Sequence, residues 1–254
     1  MPAEGNYCTI LAIPWWRRFP SRIAFWPGGG SWEEMQKPRA TYDREFAEIQ
    51  ADILRIGERV SQAIGDAVTS LQKRDLILAR EIIAGDAAIN ALRFKVEEAC
   101  LALIATQQPA ARDLRSVLAA MIIVVEIERM GDHASGIAKT VIRMGDEPLL
   151  KPLVDIPRMA HMAREMLHDC LKAFMDYDAE KARRIADRDE EMDHLYRAIF
   201  DELLAIMARE PSSVQRGTYL LWCAHNLERI GDRVTNIAER VVFVTTGLMK
   251  ELNV

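Results

Sequence analysis

Cysteine is scarce in this chain: Cys8, Cys100, Cys170 and Cys223 are scattered too widely for a CxxC pair or a disulfide framework. That excludes a cysteine metal knuckle and fits a reducing compartment, the cytoplasm. Alternating Val, Ile and Thr bounded by turn residues are missing, so strands are not expected. The longest uncharged apolar run, Val117 to Val125, is far short of the ~20 residues that span a bilayer. An integral membrane protein is thereby excluded. The apolar stretch from Cys8 to Trp16 follows Glu4 instead of positive charge and has no small-residue cleavage site, so it does not read as a secretory signal. A basic excess is also missing, with 33 Lys and Arg against 38 Asp and Glu and a net charge of -5. Phosphate-backbone affinity rests on a basic patch, so nucleic acid is not the expected partner. The Gly28–Gly30 run precedes no Lys-Ser or Lys-Thr pair, and no nucleophile stands with a base. The chain does not read as an enzyme.

What is present is length, helix and repetition. With 254 residues, 50% of them hydrophobic, the chain can bury a sizeable core. Residues 1–34 stand apart, rich in Trp, Pro and Gly and without helical period. They are read as an extension, disordered or lying ahead of a true start near Met35. The rival reading makes Trp15, Trp16, Arg17, Arg18, Arg22 and Trp26 an anchor in a lipid headgroup layer, but no periodic apolar face supports it.

From residue 41 the chain reads as long amphipathic helices in two copies of one pattern. Ile56, Val60, Ile64, Val68 and Leu71 match Met159, Ala163, Leu167, Leu171 and Phe174 at an offset of 103. At the same offset Asp75 meets Asp178, Ala79 meets Ala182 and Asp86 meets Asp189; beyond Pro109 and Pro211 the offset becomes 100. The expected helices are 41–72, 76–105 and 111–144, then 156–176, 179–208 and 212–246. The fold class is therefore all-α: two tandem antiparallel three-helix bundles related by internal duplication, spanning 40–145 and 158–248. The Pro-containing segment 146–157 is the linker between them.

The third helix of each copy carries one motif, Glu128-Arg129-Met130-Gly131-Asp132 and Glu228-Arg229-Ile230-Gly231-Asp232. Positions i and i+4 share a helix face, so each Glu and Asp can converge on one cation or on one pair of basic groups. Relative to the apolar stripe of Ile127, Met130, Ala134 and Ile137 the carboxylates are rotated by roughly 100°, which sets them beside the core and not within it. Gly131 and Gly231 each cost about 1 kcal/mol relative to Ala in a helix, and close approach of a neighbour would explain them. The second helices add Asp189 and Asp193, matched by Asp86 and Asn90 in the first copy. Clustered oxygen ligands suit hard cations, or iron and manganese when carboxylates bridge. The competing reading is a solvated face whose carboxylates pair with nearby arginines. His133 and His225 adjoin the motifs as peripheral ligands or as exposed helix positions.

A rival constellation is Glu165-x-x-His168 and Glu191-x-x-His194, the spacing of carboxylate-bridged, ferritin-like oxidases or metal stores. Its helix order is wrong for such a site, and the first copy has Gln62, Gly65, Ala88 and Ala91 at the matching places.

Ala111-Arg112-Asp113-Leu114-Arg115 leading into the first motif, and Asn226-Leu227 leading into the second, resemble the PhoU family of phosphate-transport regulators over residues 40–248. That resemblance implies two three-helix bundles in pseudo-twofold relation, with surface metal sites at the motifs. Carried over by position, the metal ligands are Glu128, Asp132 and Asp86 in one bundle and Glu228, Asp232, Asp189 and Asp193 in the other. Asn90 departs from the acidic pattern and implies a weaker first site. The implied metal is iron, zinc, magnesium or manganese. The implied role is a cytoplasmic, commonly dimeric adaptor that represses phosphate uptake and the starvation response. Its implied partners are the sensor histidine kinase and the ATPase subunit of the phosphate ABC transporter. Membrane association would be peripheral, through those partners.

Overall fold

The computed structural model describes residues 32–252, with side chains from Arg39 onward. Met1–Lys37 and Pro38–Val254 form separate units. The extension's aromatic-basic segment lies outside the described residues, of which Trp32–Lys37 is helical. The elements are α1 (Trp32–Lys73), α2 (Leu76–Gln107), α3 (Ala111–Met144), α4 (Asp155–Asp176), α5 (Ala179–Ala186), α6 (Asp189–Arg209), a 3-10 turn (Pro211–Ser213) and α7 (Val214–Thr246). No strand occurs among the described residues, and none of their helices is long and apolar enough to cross a membrane. The all-α reading with two duplicated bundles holds.

Two differences from the expected helices have physical causes. α1 begins at Trp32, well ahead of residue 41. Periodicity reports burial and not helicity, and among the described side chains of α1 the first buried ones are Tyr42 and Phe46. The expected helix 179–208 is split at Asp187 and Arg188 into α5 and α6. Ala182, Ile185 and Ala186 before the break and Met192, Leu195 and Ile199 after it are all buried. The apolar register runs through the break, so spacing alone carries no mark of it.

The duplication extends to the caps. Asp75 accepts hydrogen bonds from the N–H groups of Ile77 and Leu78, and its counterpart Asp178 accepts one from Lys181. A side-chain acceptor at that position satisfies donors that the first helical turn leaves unpaired. The segment after α3 is docked, with Leu149, Leu150 and Leu153 packed against the core and Lys151 paired with Glu202.

One continuous core joins the copies. α3 and α7 run antiparallel through its centre: Arg115 Nε donates to the Val244 carbonyl at 3.4 Å at one end, and His133 Nδ1 lies 3.0 Å from Asn226 Oδ1. Midway, Glu126 accepts from Arg233 at 3.2 Å and from Asn236 at 3.1 Å. At an offset of 100, Glu126 corresponds to Asn226, Arg233 to His133 and Asn236 to Gly136. The same pseudo-symmetric crossing is thus filled by an ion pair in one half and by a neutral pair in the other. α1 and α4 meet through Arg164, whose Nε donates to Ser61 Oγ at 3.2 Å.

Candidate carboxylate cation sites

In each copy a pair of adjacent helices brings the motif carboxylates to a neighbour. α3 presents Glu128 and Asp132, and α2 presents Asp86 across from them. Burial, and then the Asp132 charge, raises the pKa of Asp86; burial, Asp132 and Asp86 raise that of Glu128. The three therefore act on one another electrostatically. Asp86 Oδ1 is buried without a hydrogen-bond partner, while Asn90 Nδ2 reaches Asp86 Oδ2 at 3.4 Å. Arg93 offsets part of the charge: its Nη1 donates to Glu97 at 3.0 Å, and its Nε stands 3.6 Å from Glu128.

The second cluster has one more acid, Asp193 in place of Asn90. Asp189, Asp193, Glu228 and Asp232 line an open cleft of about 760 Å³ with Asp187, Glu190, Arg229 and Leu252. The helix break puts Asp189, Glu190 and Glu191 in the first turn of α6. The positive end of the helix dipole favours carboxylates there. Asp189 is only 3% exposed. It lies against Gly231, where a Cβ would stand 2.6 Å from Asp189 Oδ1 and 3.2 Å from Met192 Cγ. That contact is the reason for glycine at this motif position. In the first copy a Cβ on Gly131 would meet Ile89 Cδ1 at 3.2 Å, a softer contact.

Burial first and Asp232 next raise the Glu228 pKa; burial also raises that of Asp232, with Asp193 adding to it against Arg229. Arg229 reaches Asp232 at 2.5 Å and Arg197 reaches Asp193 at 3.3 Å. Glu228 Oε2 is buried, and His225 Nδ1 at 3.3 Å is not aligned for a hydrogen bond. His225 therefore adjoins its cluster, whereas half-buried His133 turns to Asn226 and has its pKa lowered by burial.

An all-oxygen donor set in which burial and then neighbouring charge raise the pKa values of Asp86, Glu128, Glu228 and Asp232, and in which Asp86 Oδ1 and Glu228 Oε2 are buried without hydrogen-bond partners, has the chemistry of a hard-cation site. Among the described residues, no three His, Cys, Asp or Glu side chains are close enough as they stand to hold one ion. Rotation of the partly exposed carboxylates would have to accompany binding. The rival quartet is not assembled: Glu165, His168, Glu191 and His194 are all exposed. Glu165 pairs with Arg188 at 3.1 Å and Glu191 with Arg158 at 2.7 Å. The ferritin-like reading required these side chains to face one another inside a bundle.

Residues beyond the motif shape both sites. Arg93 and its counterpart Tyr196 face the respective motif glutamates; burial and the Glu228 charge raise the Tyr196 pKa. Glu126 carried a signal that spacing analysis passed over, a lone charge between Val125 and Ile127 in an apolar stretch. Leu252 carried none, because its place in the cleft depends on the tail folding back along α7, where its N–H donates to Glu239 at 3.0 Å.

Comparison with known proteins agrees with this architecture. The PhoU domain model matches residues 53–141 and 156–241. The chain is 36% identical over 216 residues to the phosphate-specific transport system accessory protein PhoU homolog of Clostridium acetobutylicum, covering 85% of this chain and 99% of that one. It is 38% identical over 208 residues to the homolog from Caulobacter vibrioides, covering 82% and 90%. The crystal structure of the phosphate transport system regulatory protein PhoU from Streptococcus pneumoniae superposes with a TM-score of 0.77 at 34% identity, covering 82% of this chain and 99% of that chain. PhoU from Pseudomonas aeruginosa gives 0.78 at 30% identity, covering 82% and 100%.

Proposed function

The chain belongs to the PhoU family, and from that premise we propose that it is a regulatory accessory protein of a phosphate-specific transport system. It restrains phosphate uptake and the starvation response when phosphate is plentiful. It does so as a cytoplasmic, dimeric adaptor, without chemistry of its own, between the ATPase subunit of the phosphate ABC transporter and the sensor histidine kinase. The observation that carries the reading is the pair of acidic clusters held at matched positions of the duplicated scaffold. Kinship to proteins named as transport-system accessory proteins supports it.

Each cluster holds a divalent or trivalent cation such as iron, zinc, magnesium or manganese. Glu128, Asp132 and Asp86 supply the ligands in the first bundle; Glu228, Asp232, Asp189 and Asp193 supply them in the second. The bound cation would neutralise a patch that otherwise repels acidic partners, and the chain's own part is to hold the carboxylates together on rigid helices. A second reading, cation-free docking of partner arginines, draws on the contacts that Asp232 and Glu128 already make with Arg229 and Arg93. Elemental analysis of protein purified without added metal separates the two. Deleting the gene is expected to raise phosphate uptake and alkaline phosphatase in high phosphate, and unchanged levels would falsify the regulatory reading.

A further inference from the structure

Away from both acidic clusters, α1 and α4 enclose a groove of about 390 Å³. Its volume falls in the range of small-ligand pockets, roughly 300–1,000 Å³. Leu54, Leu167, Leu171 and Met175 supply apolar walls. Gly57 gives it depth, because a Cβ there would collide with Leu171 Cδ1. On α4, Arg164, His168 and Lys172 follow one another at i, i+4 and i+8, so three basic side chains edge the same wall. Arg164 is held in place by Ser61 and lies over Gly65, where a Cβ would stand 3.0 Å from its Nη1. Neither Arg164 nor Lys172 forms an ion pair among the described residues. Glu58, exposed on α1, is the one acid at the rim.

We propose that this groove binds a small amphipathic organic anion, its apolar body against Leu54, Leu167 and Leu171 and its anionic head between Arg164 and Lys172. Two charged cations without carboxylate partners beside an apolar wall favour a ligand that is acidic at one end and greasy at the other. A volume of about 390 Å³ suits a small ligand better than a partner helix, which needs a long open trough. The site shares no residue with the carboxylate clusters and is independent of the proposed regulatory role.

Decanoate, titrated into the full chain by calorimetry, is the probe. Saturable binding is expected, weakened about tenfold or more by Lys172→Glu and by Leu54→Glu. Both are exposed positions whose replacement leaves the fold intact, as circular dichroism will verify. Decyltrimethylammonium, with the same tail and opposite charge, is expected to bind at least about tenfold more weakly. Equal affinity for the two surfactants, or decanoate binding indifferent to both substitutions, overturns the proposal. So does failure of decanoate to bind while an acidic amphipathic peptide docks at Leu54 and Lys172, because the occupant is then a partner helix.

Discussion

At matched positions the two bundles carry different charge. The first sets Asp86, Glu128 and Asp132 beside Asn90 and Arg93, and the second sets Asp189, Glu228 and Asp232 beside Asp193 and Tyr196. Both are partly neutralised from within: Arg93 stands 3.6 Å from Glu128 in the first, and Arg229 and Arg197 reach Asp232 at 2.5 Å and Asp193 at 3.3 Å in the second. The second gathers an additional acid and, through the break between α5 and α6, sets Asp189 at a helix N-terminus. At the α3/α7 crossing the acid sits instead in the first copy: Glu126 with Arg233 in one half, Asn226 with His133 in the other. Duplication has preserved the positions while the interactions at them diverged, so the copies serve as internal controls for each other.

The crossing offers the strongest way to break that comparison. Glu126→Ala leaves Arg233 inside the inter-bundle contact without its partner, and loss of one member of a buried pair costs about 3–5 kcal/mol. Asn226→Ala removes a neutral hydrogen bond worth about 1 kcal/mol. Urea denaturation of both variants should rank them in that order; equal losses would make the two halves energetically alike.

The motif glycines come next. Gly231→Ala drives a methyl group into Asp189 and Met192 and should destabilise by about 1–3 kcal/mol. Gly131→Ala meets only apolar side-chain methyls, Ile89 Cδ1 at 3.2 Å, Ile89 Cγ2 at 3.4 Å and Val60 Cγ2 at 3.5 Å, so its strain is largely offset by a helix-propensity gain of about 1 kcal/mol. Thermal melts of the pair decide whether the close approach is peculiar to the second bundle.

Cation affinity sharpens the contrast further. With Mn²⁺ as titrant, Asp232→Asn should lose the tighter of two binding events, and Asp132→Asn the weaker, with the two sites separated by about tenfold, or 1.4 kcal/mol. Exchanging Asn90 for Asp should narrow the gap. Two indistinguishable events in the unmodified chain would show that the added Asp193 and the exchange of Arg93 for Tyr196 do not matter.

The smallest effect is electrostatic. Burial and neighbouring carboxylates raise the folded-state pKa values of Asp86, Glu128, Glu228 and Asp232. The folded state therefore takes up protons before the unfolded state does as pH falls from neutral. In metal-free buffer the contribution of these four groups to stability should rise on acidification through those raised values and be complete below the ordinary carboxylate range, against the opposite trend from His133 and Asp169, whose pKa values are lowered. Asp232→Asn should stabilise the chain at neutral pH, by less than about 1 kcal/mol because solvent screens these groups, and its advantage should shrink at lower pH. An Asp232→Asn advantage that does not shrink across that window, measured by urea denaturation of both chains, would count against a raised Asp232 pKa.

Much of this was legible in the sequence because helix periodicity and duplication are local or repeated signals. The span of α3, the matching of Asp75 with Asp178 and the approach of each second helix to its motif all follow from spacing, whereas the capping role of those two aspartates is seen only in the structure. The break at Asp187 and Arg188 was not legible, because Ala182, Ile185 and Ala186 hand the apolar register to Met192 and Leu195 without a Gly or Pro between them. The reason for Gly231 was expected in kind, as a close approach, but not in identity: the neighbour is the Asp189 carboxylate itself. The reach of α1 back to Trp32 is not legible in the sequence, because residues 1–34 carry no apolar period.

By itself the sequence determined an all-α duplicated scaffold, its family, and the acidic residues at matched places, since each depends on spacing along one helix or on identity between copies. Only the tertiary structure decided which residues temper those acids, how α3 and α7 cross, and that α1 and α4 enclose a groove edged by Arg164 and Lys172. These depend on side chains from helices remote in sequence meeting at a few ångströms, and no periodicity along a single helix encodes that distance.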